Sequence, residues 1–147
     1  MNTTQIIDVF KKYSTDNRMD FQQFEKGMVE LMKIDYSSIS QTLKNGISDI
    51  FVLSIKDKEL MEQSEFEHCV DLIPMIYTTP IEAIYTALFK IVDSNNSGKI
   101  NTSEFARLKK IEGEELSKKD LKELISKYDD NGDGKLNLQE WIAMFSE

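Results

Sequence analysis

The chain has 147 residues, a formal net charge of −8, 40% hydrophobic residues and 10% aromatic residues. Its acidic balance disfavours direct binding to nucleic acid or to anionic lipid. The sequence contains no apolar run long enough for membrane insertion, no signal-peptide pattern in residues 1–17, and Asn2 where N-myristoylation needs glycine. A single cysteine, Cys69, excludes an internal disulfide and favours a reducing, cytoplasmic compartment.

The first half contains two segments in which apolar residues at helical spacing are interrupted by a short polar stretch. Phe10 and Tyr13 precede the first stretch, and Phe24 follows it. Leu53 and Phe66 flank the second stretch. We expect a helix–loop–helix unit at each place.

Residues 71–80 join the two halves. Pro74 and Pro80 should break any continuous helix through this region. The segment is too apolar for a free linker, so residues 75–77 (Met-Ile-Tyr) are expected to pack either between lobes or against a partner. The sequence leaves both alternatives open.

The second half predicts further amphipathic helices. Thr79 and Pro80 suit the N-cap and the first position of a helix that continues to residue 92. Ser117 and Asp120 form a capping-box-like start to a later helix. Trp141 belongs to the last helix.

Two twelve-residue stretches, 93–104 and 129–140, share one pattern of oxygen-bearing residues. Each has glycine at position 6 and glutamate at position 12. The candidate metal-ligand positions are Asp93, Asn95, Ser97, Lys99, Asn101 and Glu104 in the first stretch, and Asp129, Asn131, Asp133, Lys135, Asn137 and Glu140 in the second. The two lysines, at position 7, would contribute only their backbone carbonyls.

This pattern suits calcium, a hard cation that takes six to eight oxygens in a flexible shell. Glycine at position 6 permits a sharp turn, and a bidentate glutamate at position 12 favours calcium over magnesium. Among positions 1, 3, 5 and 12, the 129–140 loop has three carboxylates and the 93–104 loop has two. Because ligand charge helps to set affinity, we predict tighter binding by the 129–140 loop.

These loops resemble those of the EF-hand superfamily, and the layout of the chain is similar to the calmodulin, troponin C and myosin light chain group. The resemblance implies an all-α fold with four EF-hand units in two lobes, 1–74 and 75–147. A short antiparallel β-ribbon should join paired loops, through Ile100 and Leu136 in the second lobe. The resemblance also implies two bound calcium ions, Ca2+, both in that lobe.

The stretch 54–65 is a degenerate copy of such a loop. Ser54, Lys56 and Lys58 stand at positions 1, 3 and 5, and Glu59 replaces glycine at position 6. Glu65, at position 12, keeps the usual ligand type. Two ammonium groups would repel a divalent cation, so we expect no calcium there.

The remaining copy lies around Asp16. Aligned from the following helix, the loop starts at Lys12 and ends at Gln23. Aligned from the preceding helix, it starts at Ser14 and is about two residues short of the usual length. Neither alignment makes a convincing metal site, although Asp16 and Asp20 leave weak binding open.

A calcium-binding regulatory protein that binds an amphipathic helix of a target protein is the function that the resemblance implies. A myosin IQ-type helix is one candidate, since light chains combine degenerate hands with a permanent target helix. Residues 1–74 carry a net charge of −5 and residues 75–147 carry −3. Two calcium ions would bring the second half to +1, so a basic helix would match the first lobe better. We expect a monomer when the protein is free.

A cytosolic calcium buffer whose lobe barely opens is the alternative function. The low ligand charge of the 93–104 loop favours a calcium sensor over a buffer. We expect no enzyme activity, because neighbouring helical residues such as Glu67, His68 and Cys69 point in different directions and no catalytic motif is present.

Overall fold

The amphipathic segments of the sequence form α-helices separated by short loops. The computed structural model describes residues 2–56, 58–74 and 76–146. Its helices are α1 (Thr3–Tyr13), α2 (Phe21–Leu31), α3 (Gln41–Ile55), α4 (Gln63–Asp71), α5 (Pro80–Val92), α6 (Thr102–Ile111), α7 (Lys118–Tyr128) and α8 (Leu138–Ser146). Within the described ranges, no helix is both long and apolar enough to cross a membrane.

Two helix starts lie where capping residues predict them. The Thr79 hydroxyl accepts a hydrogen bond from the Glu82 N–H at 3.1 Å, and α5 begins at Pro80. The Ser117 hydroxyl accepts from the Asp120 N–H at 3.1 Å before α7. Both bonds satisfy N–H groups that have no partner inside a helix.

Two short antiparallel ribbons tie the loops together in pairs. Strands β1 (Arg18–Met19) and β2 (Met61–Glu62) form one ribbon, in which Met19 opposes Met61. Strands β3 (Lys99–Ile100) and β4 (Leu136–Asn137) form the other, in which Ile100 opposes Leu136. The predicted all-α fold with paired loops is therefore confirmed, including the pairing of Ile100 with Leu136.

The chain packs as two compact units, one ending at Ala87 and one beginning at Leu88. This packing boundary lies inside α5, whereas the repeat in the sequence places the division between EF-hand pairs at 74/75. The difference arises because the first turns of α5 pack against the first unit. The division at 74/75 stays a prediction about which helices belong to each pair of hands.

A close contact between α3 and α5 fixes the first turns of α5 in the first unit. A Cβ added at Gly46 of α3 would lie 2.7 Å from Ile84 Cγ2 and 3.0 Å from the Tyr85 ring. The Tyr85 hydroxyl also donates a hydrogen bond to the Thr42 carbonyl at 2.9 Å. Ile84 and Tyr85 are both buried.

Aromatic rings and methionines fill the core of the first unit. Phe66 lies 5.7 Å from Phe10 and 6.0 Å from Phe24, measured between ring centroids. Four methionines in this unit, Met19, Met28, Met32 and Met61, are buried. These methionines are core residues in this conformation.

Trp141 is the centre of the second unit's core and is fully buried. Its ring centroid lies 5.9 Å from Phe89, 6.4 Å from Phe105 and 4.8 Å from Phe145. Phe105 and Trp141 each directly follow the glutamate at position 12 of a loop. Both loops are thus connected to one aromatic cluster.

The described residues between α4 and α5 form no helix, as the two prolines of this junction predict. The Tyr77 hydroxyl donates to the Met32 carbonyl at 3.4 Å within the first unit. Ile76 is 92% exposed, so its side chain is accessible to a partner. Met75, for which we expected a packing role, lies outside the described residues.

We predict that Gly46→Ala destabilises the first unit. Overpacking against Ile84 costs about 1–3 kcal/mol, which outweighs the gain of about 1 kcal/mol in helix propensity. Gly27→Ala in α2 is the matched control, because its added Cβ would approach no closer than 3.3 Å. Urea unfolding measures both changes. Equal effects of the two substitutions would contradict the close contact between α3 and α5.

Candidate metal centre

The position-6 glycines of the 93–104 and 129–140 loops have left-handed backbones. Gly98 has φ of 84° and Gly134 has φ of 75°. A Cβ added at either residue would meet nothing within 4 Å. Glycine is therefore needed for the backbone conformation and not for space, as the sequence pattern predicts.

Ligand oxygens of the 93–104 loop lie close together. Asp93 Oδ1 accepts from the Ser97 N–H at 3.1 Å, and Asp93 Oδ2 accepts from the Gly98 N–H at 2.7 Å. The Ser97 hydroxyl oxygen lies 3.1 Å from Asp93 Oδ1 and 3.0 Å from the Lys99 carbonyl oxygen. Asn95 Oδ1 also accepts from the Ser97 N–H, at 3.1 Å. The structure thus brings together the oxygens of positions 1, 3, 5 and 7.

Glu104, at position 12, reaches both ends of this loop from the first turn of α6. Its Oε2 accepts from the Ser94 N–H at 3.0 Å, and its Oε1 accepts from the Asn101 N–H at 3.0 Å. Asn101 Oδ1 accepts from the Glu104 N–H at 2.8 Å, which completes a capping box. Glu104 and Asp93 are buried, so two carboxylates lie in a partly desolvated loop.

The 129–140 loop repeats this arrangement. Asp129 accepts from the Gly132 N–H at 3.1 Å and from the Gly134 N–H at 2.7 Å. Asn131 Oδ1 accepts from the Asp133 N–H at 3.2 Å.

Glu140 links the two ends of the 129–140 loop. Its carboxylate accepts from the Asp130 N–H at 2.6 Å and from the Asn137 N–H at 2.9 Å. Asn137 Oδ1 accepts from the Glu140 N–H at 2.8 Å, as Asn101 does from Glu104. Glu140 is buried.

One contact crosses from the first of these loops to the second. The Lys99 ammonium group pairs with Asp133 Oδ2, and Asp133 Oδ1 accepts from the Lys135 N–H at 3.0 Å. The hydrogen bond from Lys99, followed by that from the Lys135 N–H, lowers the pKa of Asp133. The same pairing raises the pKa of Lys99.

The donor chemistry of both loops fits calcium. Carboxylate and amide oxygens of both loops accept hydrogen bonds from loop N–H groups, and the 93–104 loop adds the Ser97 hydroxyl and the Lys99 carbonyl. Among the described residues, no three His, Cys, Asp or Glu side chains are grouped as a metal-ion cluster. In each loop a calcium ion would be held by the six positions that the sequence predicts, with the lysine contributing only its carbonyl. The ion would neutralise the loop carboxylates.

A family model for an EF-hand domain pair matches residues 81–146, which include both loops. Residues 81–146 are therefore an EF-hand pair, and the chain as a whole is similar to calcium-binding proteins of the calmodulin superfamily. Mouse Centrin-3 is 27% identical over 97% of this chain and 81% of its own length. The rice "Probable calcium-binding protein CML13" is 25% identical over 95% of this chain and 79% of its own length. Yeast "Cell division control protein 31" is 34% identical over 46% of this chain and 42% of its own length.

In the second EF-hand of the first unit, a lysine contacts the position-12 glutamate. Lys58 Nζ lies 2.7 Å from Glu65 Oε1 and 3.6 Å from Glu62 Oε2. Burial raises the pKa of Glu65, but the hydrogen bonds from Lys58 and from the Glu62 N–H outweigh it and lower the pKa overall. The ammonium group of Lys58 therefore contacts carboxylates at positions 9 and 12, from which a calcium ion is usually bound.

Ser54, at position 1 of the same EF-hand, contacts a buried thiol. Its hydroxyl oxygen lies 3.0 Å from Cys69 Sγ. Burial raises the pKa of the Cys69 thiol to about 11. At neutral pH this thiol is protonated and therefore a weak nucleophile.

The first EF-hand of the chain has a tight hairpin turn in place of a full loop. Asp16 and Asn17 have φ of 51° and 60°, and two backbone hydrogen bonds of 2.9 and 3.1 Å join Thr15 to Arg18. Positive φ at both central residues is typical of a type I′ turn. Helix α1 ends at Tyr13, so the loop is short, as alignment from the preceding helix indicates.

Sequence reasoning missed both lysine contacts and this turn. The Asp16-Asn17 dipeptide was the available signal for the turn, because Asp and Asn tolerate a left-handed backbone. No sequence signal showed that Lys58 would contact Glu65, since loop spacing does not specify a side-chain direction. The contact between Lys99 and Asp133 depends on the register of the ribbon, which a single loop does not reveal.

We predict that Lys58→Met lowers the melting temperature of the first unit slightly, because it removes an exposed ion pair. The folded-state pKa of Glu65 is lowered, so this stabilisation is present above its unfolded pKa. It is lost as the pH falls through the folded pKa and the carboxylate is protonated. Lys56→Met, with the same charge change, is the control. A pH-independent effect, or an equal effect of Lys56→Met, would contradict the pairing.

Proposed function

We propose that the chain is a calcium-binding regulatory protein that binds two calcium ions in its second unit. In this proposal it also binds an amphipathic helix of a partner protein. The six predicted ligand positions in each of the loops 93–104 and 129–140 would hold the ions. The paired geometry of these two loops is the observation that carries the proposal. In each loop, a buried position-12 glutamate accepts hydrogen bonds from the backbone N–H groups of positions 2 and 9.

The first unit would bind no calcium. Lys58 already supplies a positive charge to Glu65. The hairpin at Asp16 and Asn17 is too short for the usual ligand set. In this proposal the first unit is a fixed module whose conformation does not depend on calcium.

The second unit has the apolar side chains that a partner helix would need. Several of them are only half-buried in this conformation: Ile91, Ile111, Leu124, Ile142, Met144 and Phe145. Calcium binding in EF-hand sensors reorients the helices beside each loop and exposes more apolar surface. An amphipathic helix could then bury its apolar face on this unit.

We propose a cytoplasmic protein that is monomeric when free and has no catalytic role. A myosin IQ-type helix is one candidate for the partner. Two bound calcium ions would bring residues 75–147 to a net charge of +1, while residues 1–74 stay at −5. Basic groups of a partner helix would therefore be attracted mainly to the first unit.

Calorimetric titration with calcium tests where the ions bind. We expect two ions for the wild type and one each for Glu104→Gln and Glu140→Gln, because each change removes the carboxylate charge at position 12. Glu65→Gln is the matched control at position 12 of the first unit and should leave two ions. More than two ions in the wild type would show that the first unit also binds metal.

Binding of a fluorescently labelled basic IQ-type peptide tests the regulatory role. We expect fluorescence anisotropy to rise more with calcium than with chelator, together with stronger fluorescence of an apolar-surface dye. Calcium-independent peptide binding would identify a permanently bound subunit instead. Two bound ions without peptide or dye binding would favour a calcium buffer.

A further inference from the structure

The two loops of the second unit are related by the ribbon, but their lysines have different surroundings. Lys99 and Lys135 both stand at position 7. In the ribbon Lys99 opposes Asn137, and its ammonium group pairs with the position-5 carboxylate of the other loop, Asp133. The residue at position 5 of the first loop is Ser97, which offers Lys135 no charge.

This asymmetry changes the charge that each loop offers to a cation. The 129–140 loop has carboxylates at Asp129, Asp133 and Glu140, but Asp133 is already paired with an ammonium group. Its available ligand charge is therefore close to that of the 93–104 loop, which has Asp93 and Glu104. The Lys99 side chain is 41% exposed and that of Asp133 is 29% exposed, so solvent can replace each partner if the pair separates.

We propose that Lys99 is an intramolecular competitor of calcium for Asp133. A cation that enters the 129–140 loop must displace the ammonium group before Asp133 can become a ligand. Lys99 therefore raises the calcium concentration at which this loop fills, and it narrows the affinity difference between the two loops. This inference rests on the proposed function, because it assumes that the loop binds calcium.

The test needs one site in isolation. The Phe105 and Trp141 ring centroids lie 6.4 Å apart, so we expect the fluorescence of Trp141 to respond to both loops. Glu104→Gln serves as the background that weakens the 93–104 site, and calcium is then titrated by calorimetry and by Trp141 fluorescence. Lys99→Met should raise the calcium affinity of the remaining site about two- to fivefold, which is the range for loss of an exposed ion pair.

Two controls separate a specific contact from a general change in charge. Lys135→Met makes the same charge change at the same loop position, and its effect should be smaller than that of Lys99→Met. When Asp133→Asn is also present, Lys99→Met should no longer increase the affinity, because its partner has been removed. Equal effects of the two lysine changes, or an undiminished effect beside Asp133→Asn, would overturn the inference.

Thermal unfolding in the presence of a chelator tests the ion pair between Lys99 and Asp133 independently of calcium binding. It therefore distinguishes failure of this inference from failure of the proposed function. Without calcium, Lys99→Met should lower the melting temperature more than Lys135→Met, because only the former breaks the ion pair. Equal melting temperatures of the Lys99→Met and Lys135→Met variants would mean that the ion pair does not form, and the inference would fail. If the Lys99 effect is seen in chelator but the wild type binds no calcium, the pair exists and the proposed function is wrong.

Discussion

The short ribbon that pairs Ile100 with Leu136 is the constraint on which the second unit depends. Both side chains are fully buried, so the ribbon is covered on its apolar face by the core beneath the loops. Because the two strands are antiparallel, the ribbon brings equivalent positions of the loops together. The approach of Lys99 to Asp133 and of Phe105 to Trp141 follows from this pairing. Neither loop could provide these contacts alone.

The groups that contact the position-12 glutamate carboxylate differ from loop to loop. Glu104 and Glu140 accept hydrogen bonds from the N–H groups of positions 2 and 9, and within the described ranges neither forms an ion pair with the lysine of its own loop. Glu65 accepts the hydrogen bond from position 9, the Glu62 N–H, and also contacts the ammonium group of Lys58. The ribbon of the first unit nevertheless forms, through Met19 and Met61. In both units the two hands pair through apolar residues of the ribbon, although the charges of the loops differ.

Sequence alone was sufficient for the parts of the structure that depend on spacing. The starts of α5 and α7, the turns at Gly98 and Gly134 and the pairing of Ile100 with Leu136 follow from local patterns. The packing of α5 was not predictable, because the contact between Gly46 and Ile84 joins residues that are distant in sequence. A glycine within a helix indicates close approach of another group but does not identify it.

The packing of α5 against α3 has a consequence for dividing the protein into fragments. A cut at the packing boundary, 87/88, would sever α5 and remove its Thr79 cap from the second fragment. A cut in the non-helical junction would keep α5 whole but separate Ile84 and Tyr85 from the surface around Gly46. Each fragment would then carry one half of a complementary apolar contact. The two fragments would therefore associate non-covalently through this contact when mixed. Neither fragment alone would have the packing that the same residues have in the intact chain.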